Sequence, residues 1–192
     1  MSLRSDARPA GLTLVEVLVA SFLGSLVLYL LITLLIPALR LSSQGTTRVD
    51  LDQRGAIASN HLVAALRRTS RAGVAAADAG SVKRLSIHQL QGTLSGSRQN
   101  WSRDLTLFSW KNKVLQKRSY ALSNPPSRAV APSLEDLMAM PEESVPRLKI
   151  EDVEEFEVTI NPGPRVDFRL VFAKNLDILR LERSVFLVNS SQ

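Results

Sequence analysis

Ala10-Gly11-Leu12-Thr13-Leu14-Val15-Glu16-Val17-Leu18-Val19-Ala20 places one carboxylate inside an otherwise uncharged run that continues to Leu39. An ionised carboxylate at bilayer depth costs about 2.5–3.5 kcal/mol on insertion scales, so a membrane segment that carries one uses it for pairing or transport. Glu16 is therefore the first functional candidate. From Val17 to Leu39 the run reaches roughly 35 Å as a helix, against a hydrocarbon core of about 30 Å. That is too long for the apolar core of a cleaved secretory signal, about 7–15 residues, and Pro37-Ala38-Leu39-Arg40 makes a poor cut site. Arg4 and Arg8 ahead of the run favour a cytoplasmic N-terminus, with Asp6 and Arg40 pulling the other way.

Along the apolar run, Ala20 and Gly24, and Ser21 and Ser25, repeat at a spacing that lets helix backbones approach closely in lipid. Pro37 lacks a helical donor and should kink or loosen the helix near its outer end. Beyond the membrane, residues 40–73 read as an amphipathic continuation, with Leu41, Val49, Ile57, Leu62, Ala65 and Leu66 as its apolar stripe. Gly73 after Arg67, Arg68 and Arg71 marks its expected end. Gly45 and Gly55 weaken it, each by up to about 1 kcal/mol relative to Ala.

Residues 74–81 are small and loop-like, and after them the period becomes two. Leu85 and Ile87 alternate with polar neighbours, and Leu105–Trp110 and Val114–Leu122 flank a hairpin turn at Lys111-Asn112-Lys113. Residues 123–146 form a long proline-rich loop with a helical patch at Leu134–Met140. Leu148–Ile160 reads as β, followed by a turn at Asn161-Pro162-Gly163-Pro164, a strand marked by Val166, Phe168, Leu170 and Phe172, and a last strand marked by Leu179, Leu181, Val185 and Leu187. The expected fold is α+β, a long N-terminal helix packed on an antiparallel sheet.

Residues 8–20 resemble the N-terminus of type IV pilins and type II secretion pseudopilins: a basic leader ending in Gly, a hydrophobic residue, Thr-Leu-hydrophobic-Glu, then a long apolar helix. Leu12 stands where that family usually has Phe or Met. The ending, Val153-Glu154-Glu155-Phe156-Glu157-Val158 and then Leu181–Asn189 after a hairpin, resembles PilW-like minor pilins and GspJ-like minor pseudopilins. The resemblance implies a leader at 1–11, a transmembrane assembly helix at 12–39, the amphipathic half at 40–73 and a β-rich periplasmic domain at 74–192. It implies that a prepilin peptidase cuts between Gly11 and Leu12 and methylates the Leu12 amine. Glu16 then meets the N-terminal amine of a neighbouring subunit, while Ala20, Gly24 and Pro37 serve helix packing. Two opposite unit charges about 4 Å apart gain several kcal/mol at an effective dielectric near 20, which suits that pairing. The partners implied are other pilins or pseudopilins, the peptidase and an inner-membrane assembly platform. The place implied is the inner membrane with the C-terminal domain in the periplasm, then a filament.

The net charge of +6 conceals two blocks. Residues 40–128 carry 15 Lys and Arg against 4 Asp and Glu, whereas 129–192 carry 7 against 12. Opposite blocks suit side-to-side contact between subunits. The basic region also supplies candidate DNA or partner contacts at Trp101, Arg103, Trp110, Lys111, Lys113, Lys117 and Arg118, against a simpler reading as a solvated hairpin with core tryptophans. Cysteine is absent, so an exported chain of this kind relies on its core and its neighbours. The acidic run Glu151–Glu157 lacks the spacing of a calcium loop, His61 and His88 have no cysteine beside them for zinc, and Ser95-Gly96-Ser97 is neither a nucleophile elbow nor a phosphate loop. No cofactor or metal is expected. The leading expectation is a non-enzymatic minor filament subunit. The alternatives are a DNA-binding minor pilin of an uptake pilus and a signal-anchored periplasmic enzyme.

Overall fold

The computed structural model describes residues 13–93, 99–122, 128–141 and 145–188, in two units, Met1–Thr46 and Thr47–Gln192. Helix α1 (Leu14–Leu66) provides the first unit and opens the second. It continues through Pro37, and also through Gly45. Its first 26 residues, Leu14–Leu39, are long and apolar enough to cross a membrane, and their side chains are exposed.

In the second unit α1 buries Leu51, Gly55, Ala58, Ser59, Leu62, Ala65 and Leu66, a seam stepping by three and four residues. The expected stripe is corrected in part, because Leu41, Val49 and Ile57 are exposed. Val49 and Ile57 each lie about 140° around the helix from Leu62 at 3.6 residues per turn. The helix also stops at Leu66, short of the expected Gly73, and a 3-10 turn occupies Arg71–Gly73. Tertiary bonds draw the chain out of the helix: Leu90 N–H donates to Arg68 O at 2.5 Å, Thr69 Oγ1 to His88 O at 2.6 Å, and Val188 N–H to Thr69 O at 2.9 Å.

Eight strands follow among the described residues: β1 (Val74–Asp78), β2 (Val82–Thr93), β3 (Gln99–Lys111), β4 (Val114–Ala121), β5 (Leu148–Ile150), β6 (Val153–Ile160), β7 (Arg165–Lys174) and β8 (Asp177–Phe186). The structure is α+β, with two antiparallel sheets in the orders β1-β2-β3-β4-β5 and β6-β7-β8 where the sequence suggests one. The split falls inside the expected strand Leu148–Ile160. There Asp152, at φ 65°, turns the chain from the first sheet into the second. Arg54 Nη1 fastens that corner to α1, 2.9 Å from Asp152 Oδ2.

Residues 74–78 are a strand rather than loop. Alanines have little β preference alone, but β2 supplies the ladder, and small side chains let helix α2 (Leu134–Ala139) pack Leu137 against Ala77 and Leu107. Ser133 caps α2 by accepting from Asp136 N–H. At its other end Arg84 Nη1 donates to the carbonyls of Leu137, Met138 and Met140 at 2.8–3.0 Å. Most of the core is one cluster, in which the α1 seam meets Leu85, Ile87, Phe108 and Leu115 of the first sheet and Phe156, Phe168, Leu170 and Phe172 of the second. A Cβ at Gly55 would lie 2.7 Å from Leu181 Cδ1 and 2.8 Å from Leu179 Cδ2, so the glycine is what lets β8 approach the helix.

Candidate assembly site at the start of the helix

Thr13 and Glu16 close the N-terminus of α1 on each other. The Thr13 N–H and Oγ1 both donate to Glu16 Oε2, at 2.9 and 3.0 Å, and Glu16 N–H donates to Thr13 Oγ1 at 3.3 Å. This is a reciprocal capping box, in which each side chain satisfies a backbone donor the helix leaves free. The negative charge also sits at the positive end of the helix dipole. Glu16 Oε1 has no partner among the described residues. The carboxylate is thus oriented through one oxygen and open through the other.

The serines and the threonine within the span are satisfied within the helix. Ser21 Oγ donates to Val17 O, Ser25 Oγ to Phe22 O and Thr33 Oγ1 to Leu30 O, at 2.8–2.9 Å. Glu16 is consequently the one ionisable acid or base in Leu14–Leu39, apart from the tyrosine Tyr29. Gly24 has open space where a Cβ would stand, and Ala20 is exposed, so this face can receive another helix closely. Gly11 and Leu12 lie outside the described residues, as does Ser95-Gly96-Ser97. Sequence reasoning missed Thr13 as the partner of Glu16. The Thr-x-x-Glu spacing ahead of an apolar run was the available signal.

The seven residues of the basic region do not share one surface. Trp101 is 4% exposed and stacks on His88 with ring centres 5.2 Å apart, and Arg118 is 5% exposed with Nη2 donating to Gln116 Oε1. Trp110 is half-buried, its indole N–H donating to Val153 O at 2.8 Å. Lys117 stands on the opposite face of β4 from Arg118, 5.9 Å from the centre of the Phe108 ring, and burial followed by repulsion from Arg147 lowers its pKa. Arg103, Lys111 and Lys113 are exposed, and Lys113 pairs with Glu154 at 2.6 Å. As a correction to the base-stacking alternative, Trp101 offers no free ring face and Arg118 no exposed guanidinium.

The two histidines are apart in role as well. His88 is buried, with Nε2 2.8 Å from Ser102 O and Nδ1 accepting from Val130 N–H at 3.0 Å, which ties the long loop to β2 and β3. His61 lies on the exposed side of α1. A shallow groove of about 360 Å³ runs over the outer face of the second sheet. Apart from Arg183, its charges are engaged: Arg165 with Asp167 at 2.7 Å, and Arg169 with Glu155, Glu157 and Glu182 at 3.5–3.8 Å. Compared with protein-family models, curated proteins and solved structures, the chain has no match in any of the three.

Proposed function

We propose that the chain is a structural subunit, a minor pilin or pseudopilin, that joins, primes or tips a filament drawn from the inner membrane after a prepilin peptidase has removed residues 1–11. The observation that carries this reading is Glu16, a carboxylate in an exposed apolar span, held by Thr13 through one oxygen and open at the other. Cleavage after Gly11 creates the complementary charge, an amine at Leu12, and in lipid the two relieve each other's solvation cost across a subunit contact. The exposed Ala20 and Gly24 suit the close helix packing that such a contact requires. The work of the chain in this account is assembly, with the β-rich unit carried in the periplasm. Replacing Glu16 by Gln keeps shape and removes charge. Glu16→Gln should insert and be processed like the wild type, while its incorporation into sheared filaments falls at least tenfold. Undiminished incorporation of a processed Glu16→Gln chain would sink the pairing account.

A further inference from the structure

The second sheet ends on an open edge. Among the described residues β8 pairs as a strand with β7 alone, along its full ten residues. Leu187 N–H donates to Pro164 O, in register with the β7–β8 ladder, so the backbone groups of Val185, Leu181 and their alternates face β7. Those of Ile178, Arg180, Glu182, Ser184 and Phe186 point away from it. The next outward amide, Val188 N–H, is taken by Thr69 O, which shows that this side accepts a neighbouring chain segment and closes the row at one end only.

Beside the open row lies a groove of about 190 Å³, lined by Val63 of α1, by Arg67 just past its end, and by Arg183, Ser184, Val185 and Phe186. The helix forms a floor for a further strand, and Phe186, 69% exposed, and Ile178, 63% exposed, offer apolar contacts near the two ends of the row. The guanidinium groups of Arg67, Arg180 and Arg183 make no ion pair or hydrogen bond among the described residues. Arg54, Arg84 and Arg169 of the same unit are engaged, whereas Arg48, Arg68, Arg103, Arg128 and Arg147 have no side-chain partner among the described residues either; what sets Arg67 and Arg183 apart is their place in the groove beside the open edge. Arg180 stands on the outer face of the strand beside Glu182, whereas Arg67 and Arg183 line the groove, and these two unengaged cations along an unpaired edge fit an extended segment with acidic side chains on that face, bound by main-chain bonds for affinity and by carboxylates for selection. A second copy of β8, whose Asp177 and Glu182 offset its Arg180 and Arg183, is the competing occupant that the test distinguishes.

We propose that β8 is a strand-addition site for an extended acidic segment of a partner protein, laid along Ile178–Phe186 with its carboxylates at Arg67 and Arg183. This does not rest on the filament reading, and its failure leaves Glu16 untouched.

The test uses the full chain in detergent micelles and three fluorescent ten-residue probes: alternating Glu and Val, alternating Lys and Val, and the Glu probe N-methylated at alternate residues to remove its edge donors. The Glu probe should bind and slow amide exchange at 178–186, and the Lys and N-methylated probes should bind at least tenfold more weakly. The double substitution Arg67→Glu, Arg183→Glu, at exposed positions whose folding is checked by circular dichroism, should cost the Glu probe at least tenfold in affinity. The proposal is overturned if the Glu probe fails to bind, if the Lys probe binds as well, or if charge reversal changes nothing. It is equally overturned if the chain alone dimerises with rising concentration through protected β8 amides, which assigns the edge to a second copy.

Discussion

At the scale of residues, the informative positions are those where a side chain is small or charged against the local pattern. Gly55 is legible in the sequence only as a weak point of the helix, whereas the structure makes it the place where Leu179 and Leu181 come down on α1. Gly55→Ala gains about 1 kcal/mol in helix preference but overpacks this contact, a cost of about 1–3 kcal/mol, so it should lower stability by about 1 kcal/mol. Denaturation with urea should show that loss, and the sign should reverse when Leu179 and Leu181 are both Ala. A stabilising Gly55→Ala in the otherwise native chain contradicts the close-approach account. Glu16 was legible because a charge in an apolar run violates composition. Thr13 was not, because a threonine before a helix violates nothing and gains meaning only from its spacing.

At the scale of elements, periodicity found the α1 helix, most strands and α2, and failed where tertiary contacts decide. The seam of α1 includes Gly55 and Ser59, which an apolar count passes over, while Val49 and Ile57 are apolar and exposed. β1 is a run of alanines that becomes a strand only because β2 pairs with it. The division between β5 and β6 hangs on one residue, Asp152, whose positive φ no hydrophobic pattern reveals. The Lys111-Asn112-Lys113 hairpin was legible, and its geometry is tight: Lys111 pairs with Val114, and Asn112 and Lys113 have φ of 51° and 62°. Both central residues are left-handed, as a type I′ turn requires, and lysine is a poor occupant of the second. Lys113→Gly should stabilise the fold by about 0.5–1 kcal/mol, the exposed Lys113–Glu154 pair offsetting little. A rise in the urea midpoint checks this. A fall would mean that the ion pair, not the turn, governs the hairpin.

At the scale of the whole molecule, ion pairs join parts of the second unit that are distant in sequence. Asp50 of α1 receives Lys174 Nζ at 2.8 Å and Arg54 Nε at 2.9 Å, and Arg54 continues to Asp152. The Lys174 bond, then the Arg54 bond, holds the Asp50 carboxyl below its usual range. Donors on Arg165, Ser184 and Asn161 lower Asp167 from 3.8 to about 2. The unfolded chain takes up these protons as pH falls through the ordinary carboxylate range, and the folded chain resists until lower pH. The stability they contribute is therefore present above that range and is lost as pH falls toward about 2. His61 adds a smaller loss of the same sign below 6.5, since burial, then Lys117, disfavours its protonated form. Urea midpoints followed by the fluorescence of Trp101 and Trp110 should slip slightly between about pH 7 and 5 and fall steeply between about pH 4 and 2. Asp167→Asn should flatten part of the steep fall, and an unchanged profile would show that these pairs do not couple to folding.

The fold class at this scale was legible because a long apolar helix and later period-two runs leave few arrangements. The function of the chain was not, since an exposed apolar span and a β-rich unit are compatible with many roles. The most direct measurement of the central claim is the intact mass of this chain in sheared filaments and in membranes of the same cells. The account predicts a filament-borne chain that begins at N-methylated Leu12. A chain confined to membranes, with residues 1–11 still attached, would contradict it.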